Sequence, residues 1–246
     1  MTPETGRTDL VALAAEELGE LVEGTRYVLF DFDGPICRLF AGFPASHIAR
    51  AQVEWLRAHG RADLLTEAEL RSPDPHGVLS SLAARQPGTD LVLDLEEHLT
   101  QCELQAARGA WPTPYADALI RTWVAVGAQL AIVTNNSART AEEYLKGRGL
   151  LSCFAPHIYG RTGELHLLKP HPDMLQRALR AMGAAPGDTL MIGDSSTDHA
   201  AARTAGVPFL GYASSDSATR RMRDTGVPER DILPSLEPLL TAVRRH

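Results

Sequence analysis

The chain has 246 residues, 44% of them hydrophobic and 22% charged, a composition that supports a buried core and excludes disorder as the main state. A net charge of −7 argues against a broad basic face for nucleic acid. The three cysteines, Cys37, Cys102 and Cys153, are odd in number and far apart, so neither a disulfide framework nor a paired-cysteine metal site is expected, and a reducing compartment, the cytoplasm, is the simple reading.

In chain order, an amphipathic helix is expected over about Leu10 to Leu21. Its apolar run, Leu10 to Ala15, lies between Asp9 and the pair Glu16 and Glu17, which suits neither a signal peptide nor a membrane helix. The first strand is Arg26 to Asp31. Further β-type runs are Gln129–Thr134, Thr189–Gly193, Val207–Tyr212 and the short Asp231–Leu233. Helices are expected over Ser137–Arg148, closed by Gly149, and over Pro172–Met182, closed by Gly183. Continuously apolar strands alternating with helices predict an α/β fold with a parallel sheet covered on both faces.

The segment from about Arg38 to Trp111 has no strong strand. Ile48, Gln52, Val53 and Leu56 form a helical stripe ending at Gly60. Thr66 and Glu69 fit a capping box, and Asp90 is the expected N-cap of a helix carrying Leu91, Leu95, Leu99 and Cys102. The division expected is a core of residues 1–37 and 112–246 with an inserted helical domain at 38–111.

Four polar groups fall at or near the carboxyl ends of the strands, where the crevice of an open parallel sheet lies. They are Asp31-Phe32-Asp33-Gly34, Thr134-Asn135-Asn136, Lys169 in LKPHPDML, and Gly193-Asp194-Ser195-Ser196-Thr197-Asp198. Singly, each reads as a turn, a cap or a surface residue. Together, Asp31, Asp33 and Asp194 concentrate negative charge that a hard cation such as Mg²⁺ would neutralise. Lys169, Thr134 and main-chain N–H groups would hold phosphoryl oxygens. Lys169 is one of only two lysines among 24 basic residues, the other being Lys146, and a compact ammonium suits a tight anion site.

DFDG, IVTNN, LKPHPDML and IGDSSTD resemble, in this order, the four signature motifs of the haloacid dehalogenase-like superfamily, in its helical-cap, phosphoglycolate phosphatase-like branch. The resemblance covers nearly the whole chain from Arg26 onward. It implies a Rossmann-like three-layer core with Asp31 as nucleophile and Asp33 as general acid/base. Gly34, Thr134, Asn135 and Lys169 would hold the phosphate, and Asp31, Asp194 and the Asp33 carbonyl would hold Mg²⁺. Asp198 would support Lys169 or the metal-bound water. Two positions depart from the pattern: Pro35 replaces the usual Thr or Val, and Arg38 stands where an acid is common.

Within that superfamily, Asp33 disfavours a dehalogenase, and the absence of lysine from the insert disfavours a phosphonatase. Phe43, in place of a histidine twelve residues after Asp31, weakens a sugar phosphomutase. A phosphatase acting on a small phosphorylated molecule leads, as monomer or homodimer, with no nucleic-acid or membrane partner; a mutase and a catalytically silent binding protein are the alternatives. Arg38 and His47 are candidate substrate contacts from the insert. The other insert histidines, His59, His76 and His98, read as surface residues, Trp55, Trp111 and Trp123 as packing residues, and Cys37 as a small buried filler.

Overall fold

The computed structural model of the chain describes residues 16–246. The expected N-terminal helix falls partly outside them; residues 16–23 are helical. The strands are β1 (Tyr27–Phe30), β2 (Cys37–Arg38), β3 (Trp111–Pro112), β4 (Gln129–Ser137), β5 (Ile158–Arg161), β6 (Thr189–Gly193), β7 (Phe209–Tyr212) and β8 (Ile232–Leu233). Six of them form a parallel sheet in the order β5-β4-β1-β6-β7-β8.

Side-chain alternation divides the sheet into two buried faces. Val28, Phe30, Leu130, Ile132, Leu190 and Ile192 join a cluster with Trp123, Leu145 and Leu239 from the Ala116–Ala125, Ala138–Arg148 and Glu237–Arg245 helices. Leu29, Ala131, Val133 and Met191 pack on Leu175 and Ala201 from the Asp173–Met182 and Ser196–Ala205 helices. Helices on both faces of a parallel sheet make an α/β Rossmann-like fold. β1 lies between β4 and β6, so the chain changes direction across the sheet there, and ligand crevices form at such switch points.

Residues between β2 and β3 form three α-helices, Ala45–Ala58, Pro75–Arg85 and Asp90–Arg108. Their interior, including Ile48, Leu56, Leu79 and Leu95, is continuous with the second core cluster. β2 and β3 pair antiparallel, with Arg38 opposite Trp111, so the insert leaves and re-enters the core through one short ribbon. Neither that ribbon nor β5 is among the strands expected from the sequence: CR, WP and IYGR carry no continuous apolar run of the kind that marks YVLF or TLMIG.

Two expectations for the insert are corrected, the Asp90 N-cap and the packing role of Trp111, while the expected capping box is present. Thr89, not Asp90, is the N-cap of the Asp90–Arg108 helix. The Thr66–Glu69 box forms, with Thr66 N–H on Glu69 Oε2 at 2.8 Å and Glu69 N–H on Thr66 Oγ1 at 3.3 Å, but it opens a single 3₁₀ turn. Trp111 is not a packing residue: it is 56% exposed, with the Arg38 guanidinium 5.1 Å from its ring centroid. No helix among the described residues is long and apolar enough to cross a membrane.

Candidate active site

β1 delivers Asp31 to the crevice with its main-chain N–H on Ile192 O at 2.9 Å. The buried Lys169 ammonium donates to Asp31 Oδ1 (2.8 Å), Asp198 Oδ1 (2.5 Å) and Val133 O (2.8 Å), using all three of its protons. Burial alone favours the neutral amine, but Asp198 and Asp31 outweigh it and hold Lys169 above its ordinary value. Asp198 does two jobs. Its Oδ2 accepts from Ser195 N–H (3.0 Å) and Ser195 Oγ (2.6 Å), completing a capping box on the Ser196–Ala205 helix, while Oδ1 holds Lys169.

Asp31, Asp194 and Asp198 bring one carboxylate oxygen each within 4.8 Å of one another. Asp194 lies at the exposed edge of this cluster and has no salt-bridge partner among the described residues. Lost hydration, and then Asp31, Asp198 and Asp33, push its carboxyl well above the usual range. Burial likewise raises Asp31, with Lys169 pulling the other way. Hard oxygen donors carrying more negative charge than one ammonium can offset fit a hard divalent cation.

Asp33, half-buried, accepts from Leu39 N–H at 2.8 Å through Oδ1. Burial pushes it up to about 7, with the Leu39 N–H opposing and Asp31 adding to the rise. Gly34 has φ +112°, and a Cβ there would meet the Asp194 carboxylate at 2.4 Å, so this position excludes any side chain. Its N–H is bonded to Cys37 O (2.6 Å) and its carbonyl to Thr113 Oγ1 (2.5 Å). The neighbouring N–H that Pro35 lacks is not missed, since Ile36 and Cys37 both donate to Phe32 O. Cys37 is buried and its thiol is pushed up, which makes it inert.

Thr134 is fully buried; its Oγ1 accepts from Asn136 N–H (3.1 Å) and donates to Asn136 Oδ1 (3.2 Å). The Asn135 amide is engaged within the site. It clamps Lys169, accepting its N–H at 2.8 Å and donating to its carbonyl at 3.0 Å. A second buried cation lies behind this end of β4. Arg161 donates to Glu103 (2.8 Å), Glu96 (2.9 Å), Thr100 (3.0 Å) and Asn135 O (3.0 Å). Glu103 also accepts from Asn136 Nδ2 (3.0 Å) and Ser137 N–H (2.9 Å), and sits 3.2 Å from the His76 ring. His76 is therefore a partner of a buried carboxylate, not a surface residue. The missed signal was Glu103 itself, four residues after Leu99 on the apolar stripe of its helix, since a carboxylate there demands a buried partner.

The site opens into a cavity of about 530 Å³ whose walls include Asp33, Asp194, Arg38, Trp111, Ser215 and Arg221. Neither arginine has a salt-bridge partner among the described residues. His47 is exposed, edge-to-face with Phe43, and does not line this cavity.

A family model described as a haloacid dehalogenase-like hydrolase matches residues 25–206. The chain belongs to that family. Among curated relatives, a phosphoglycolate phosphatase of Xylella fastidiosa is 31% identical over 216 residues, 85% of this chain and 91% of that protein. A phosphoglycolate phosphatase of Thiobacillus denitrificans is 35% identical over 113 residues, 44% of this chain and only 49% of that protein. In fold, the chain is similar to the crystal structure of a predicted phosphatase from Clostridium acetobutylicum, with TM-score 0.64 and 17% identity over 90% of this chain and 99% of that one. The haloacid dehalogenase-like assignment makes this chain a hydrolase and agrees with the motif order from DFDG to IGDSSTD.

Proposed function

We propose that this hydrolase is a divalent-cation-dependent phosphatase, with Mg²⁺ as the cation, acting on a small phosphate monoester through an aspartyl-phosphate on Asp31. The reading rests on the contrast between two carboxylates two residues apart. Asp31 is held against Lys169, while Asp33 has no salt-bridge partner among the described residues and is raised to about 7, the range of an effective acid and base near neutral pH.

The Asp31 oxygen not bonded to Lys169 attacks phosphorus in line. As that O–P bond forms, the bond to the leaving oxygen breaks, and protonated Asp33 gives that oxygen its proton. Asp33, now a carboxylate, takes a proton from water as the water oxygen attacks phosphorus, releasing phosphate and freeing Asp31. Lys169 stabilises charge on the equatorial oxygens as a fixed positive charge, the largest contribution in such transfers, and the Thr134 hydroxyl joins it by turning its proton from Asn136 Oδ1 to the phosphoryl group. Asp31 and Asp194, with the Asp33 main-chain carbonyl that the family resemblance implies, would hold the cation. When bound, it neutralises the carboxylates and polarises the phosphoryl group. Both Asp198 oxygens are engaged, which gives it the supporting role. Asn135 orients Lys169, and Gly34 makes room for Asp194.

The three helices over the crevice act as a cap that excludes water. Arg38 and Arg221, with no salt-bridge partner among the described residues, stand at the cavity wall and favour a substrate with a second anionic group, in keeping with relatives named for phosphoglycolate. Three free cysteines suit a reducing cytoplasm.

The test is a panel of mono- and doubly anionic phosphate esters assayed with Mg²⁺, with chelator, and with Arg38→Ala. Turnover is expected only with a divalent cation. Arg38→Ala should lose on the order of tenfold in kcat/KM selectively on doubly anionic esters, equivalent to ~1.4 kcal/mol. Full turnover after chelation rejects the phosphatase mechanism, and a uniform Arg38→Ala effect rejects the second anionic contact alone.

A further inference from the structure

We propose that Glu103 and Arg161 are positioning residues for the reaction, a buried pair through which the cap sets the geometry of Thr134 and Lys169. The proposal rests on the phosphatase reading above. Glu103 belongs to the insert, on the Asp90–Arg108 helix, and Arg161 to the sheet, at the end of β5. Both side chains are fully buried.

Two hydrogen-bonded routes run from this pair to the reacting groups. On the first, Glu103 Oε1 accepts from Asn136 Nδ2, Glu103 Oε2 accepts from Ser137 N–H, and Asn136 fixes Thr134 through two bonds to its hydroxyl. On the second, Arg161 donates to Asn135 O, the Asn135 amide clamps the Lys169 main chain on both sides, and the Lys169 ammonium meets Asp31. The Thr134 hydroxyl and the Lys169 main chain are thus braced by residues that do not line the cavity. Errors of about 1 Å in such groups cost on the order of a hundredfold in rate.

The Asp90–Arg108 helix also supplies a built-in control, through its contact with Arg139 on the Ala138–Arg148 helix. Arg139 Nη1 and Glu97 Oε2 bridge the cap and core at 2.7 Å, but both are about half exposed and neither bonds to the Thr134–Asn136 segment of β4. If tying the cap down were the whole role of Glu103, this bridge would serve the same purpose.

The experiment compares Glu103→Gln, the double variant Glu103→Leu/Arg161→Met, and Arg139→Ala. Melting temperature, kcat and KM for an aryl phosphate, and affinity for inorganic phosphate in Mg²⁺ are measured on each. An apolar pair of similar volume restores much of the stability lost when one charge is left alone, so the double variant separates folding from positioning. The expected result is a melting temperature near the parent's with kcat down on the order of tenfold to a hundredfold and phosphate bound more weakly. Arg139→Ala should keep parental kcat. Parental kcat in the folded double variant overturns the proposal, as does equal loss in Arg139→Ala and Glu103→Gln. If the double variant does not fold, folded Glu103→Gln decides: parental kcat and phosphate affinity reject the positioning role. A parent protein that turns over no ester leaves the phosphate affinities as the deciding measurement, and its inactivity counts against the phosphatase reading alone.

Discussion

Among the described residues two cations are buried, Lys169 and Arg161, each between two carboxylates. Around Arg161, Glu103, Glu96, Thr100 and the Asn135 carbonyl satisfy the guanidinium, and no acid beside it is left without a partner. Burial opposes ionisation of Glu103, but Arg161 and His76 outweigh it and hold the carboxyl at about 2. Around Lys169 the balance fails. Asp194 and Asp33 stand beside the Asp31–Lys169–Asp198 triad, and all of Asp31, Asp33 and Asp194 are raised. A closed charge cluster holds parts in place, whereas one with surplus negative charge at a cavity binds a cation and moves protons.

The sharpest way to break this contrast is Asp31→Asn. Turnover should fall on the order of 10⁴-fold or more, and acid-quenched protein should carry no covalent phosphate; an active, phosphorylated variant removes the nucleophile from the Lys169 cluster. Next comes Lys169→Arg, with an expected loss of about 10²- to 10³-fold in kcat because a fork cannot replace three tightly placed ammonium bonds. Exposed Lys146→Arg should be silent, and comparable losses from both would end the case for Lys169.

For the closed cluster the readout is stability. Arg161→Met leaves Glu103 buried without its cation and should cost about 3–5 kcal/mol in denaturant melts. Mg²⁺ should raise the parent's melting temperature without repairing that deficit. The pH dependence is smaller. Glu103 lies below its ordinary 4.5, at about 2, so its stabilisation, about 3 kcal/mol, is complete above pH ~4.5 and is lost as pH falls towards 2. Glu103→Gln should flatten that acid limb, and an unchanged slope would place the coupling elsewhere. The smallest effect lies outside both clusters: Gln52, buried in the cap, has neither amide atom partnered. Gln52→Leu should add about 1 kcal/mol, and a loss instead would mean the amide has a partner.

The sheet was legible because apolar runs such as YVLF and TLMIG need burial on both faces. The acids after β1 and β6 were legible because residues at the ends of parallel strands share one edge. The Asn135 clamp was not legible because its partner, the Lys169 main chain, lies 34 residues away. His76 and Trp111 misled because exposure depends on neighbours far along the chain.

By itself, the sequence determined the alternation of strands and helices, the presence of an inserted helical segment, and the surplus of carboxylates at one sheet edge. These follow from local periodicity and from parallel pairing, which hardly depend on what packs where. Only the tertiary structure decided that Asp198 both caps its helix and holds Lys169, that Arg38 and Arg221 share a cavity, and that Glu103 reaches Arg161 across 58 residues of chain. Buried charges choose partners by proximity in a low-dielectric interior, and proximity between distant segments is a property of packing.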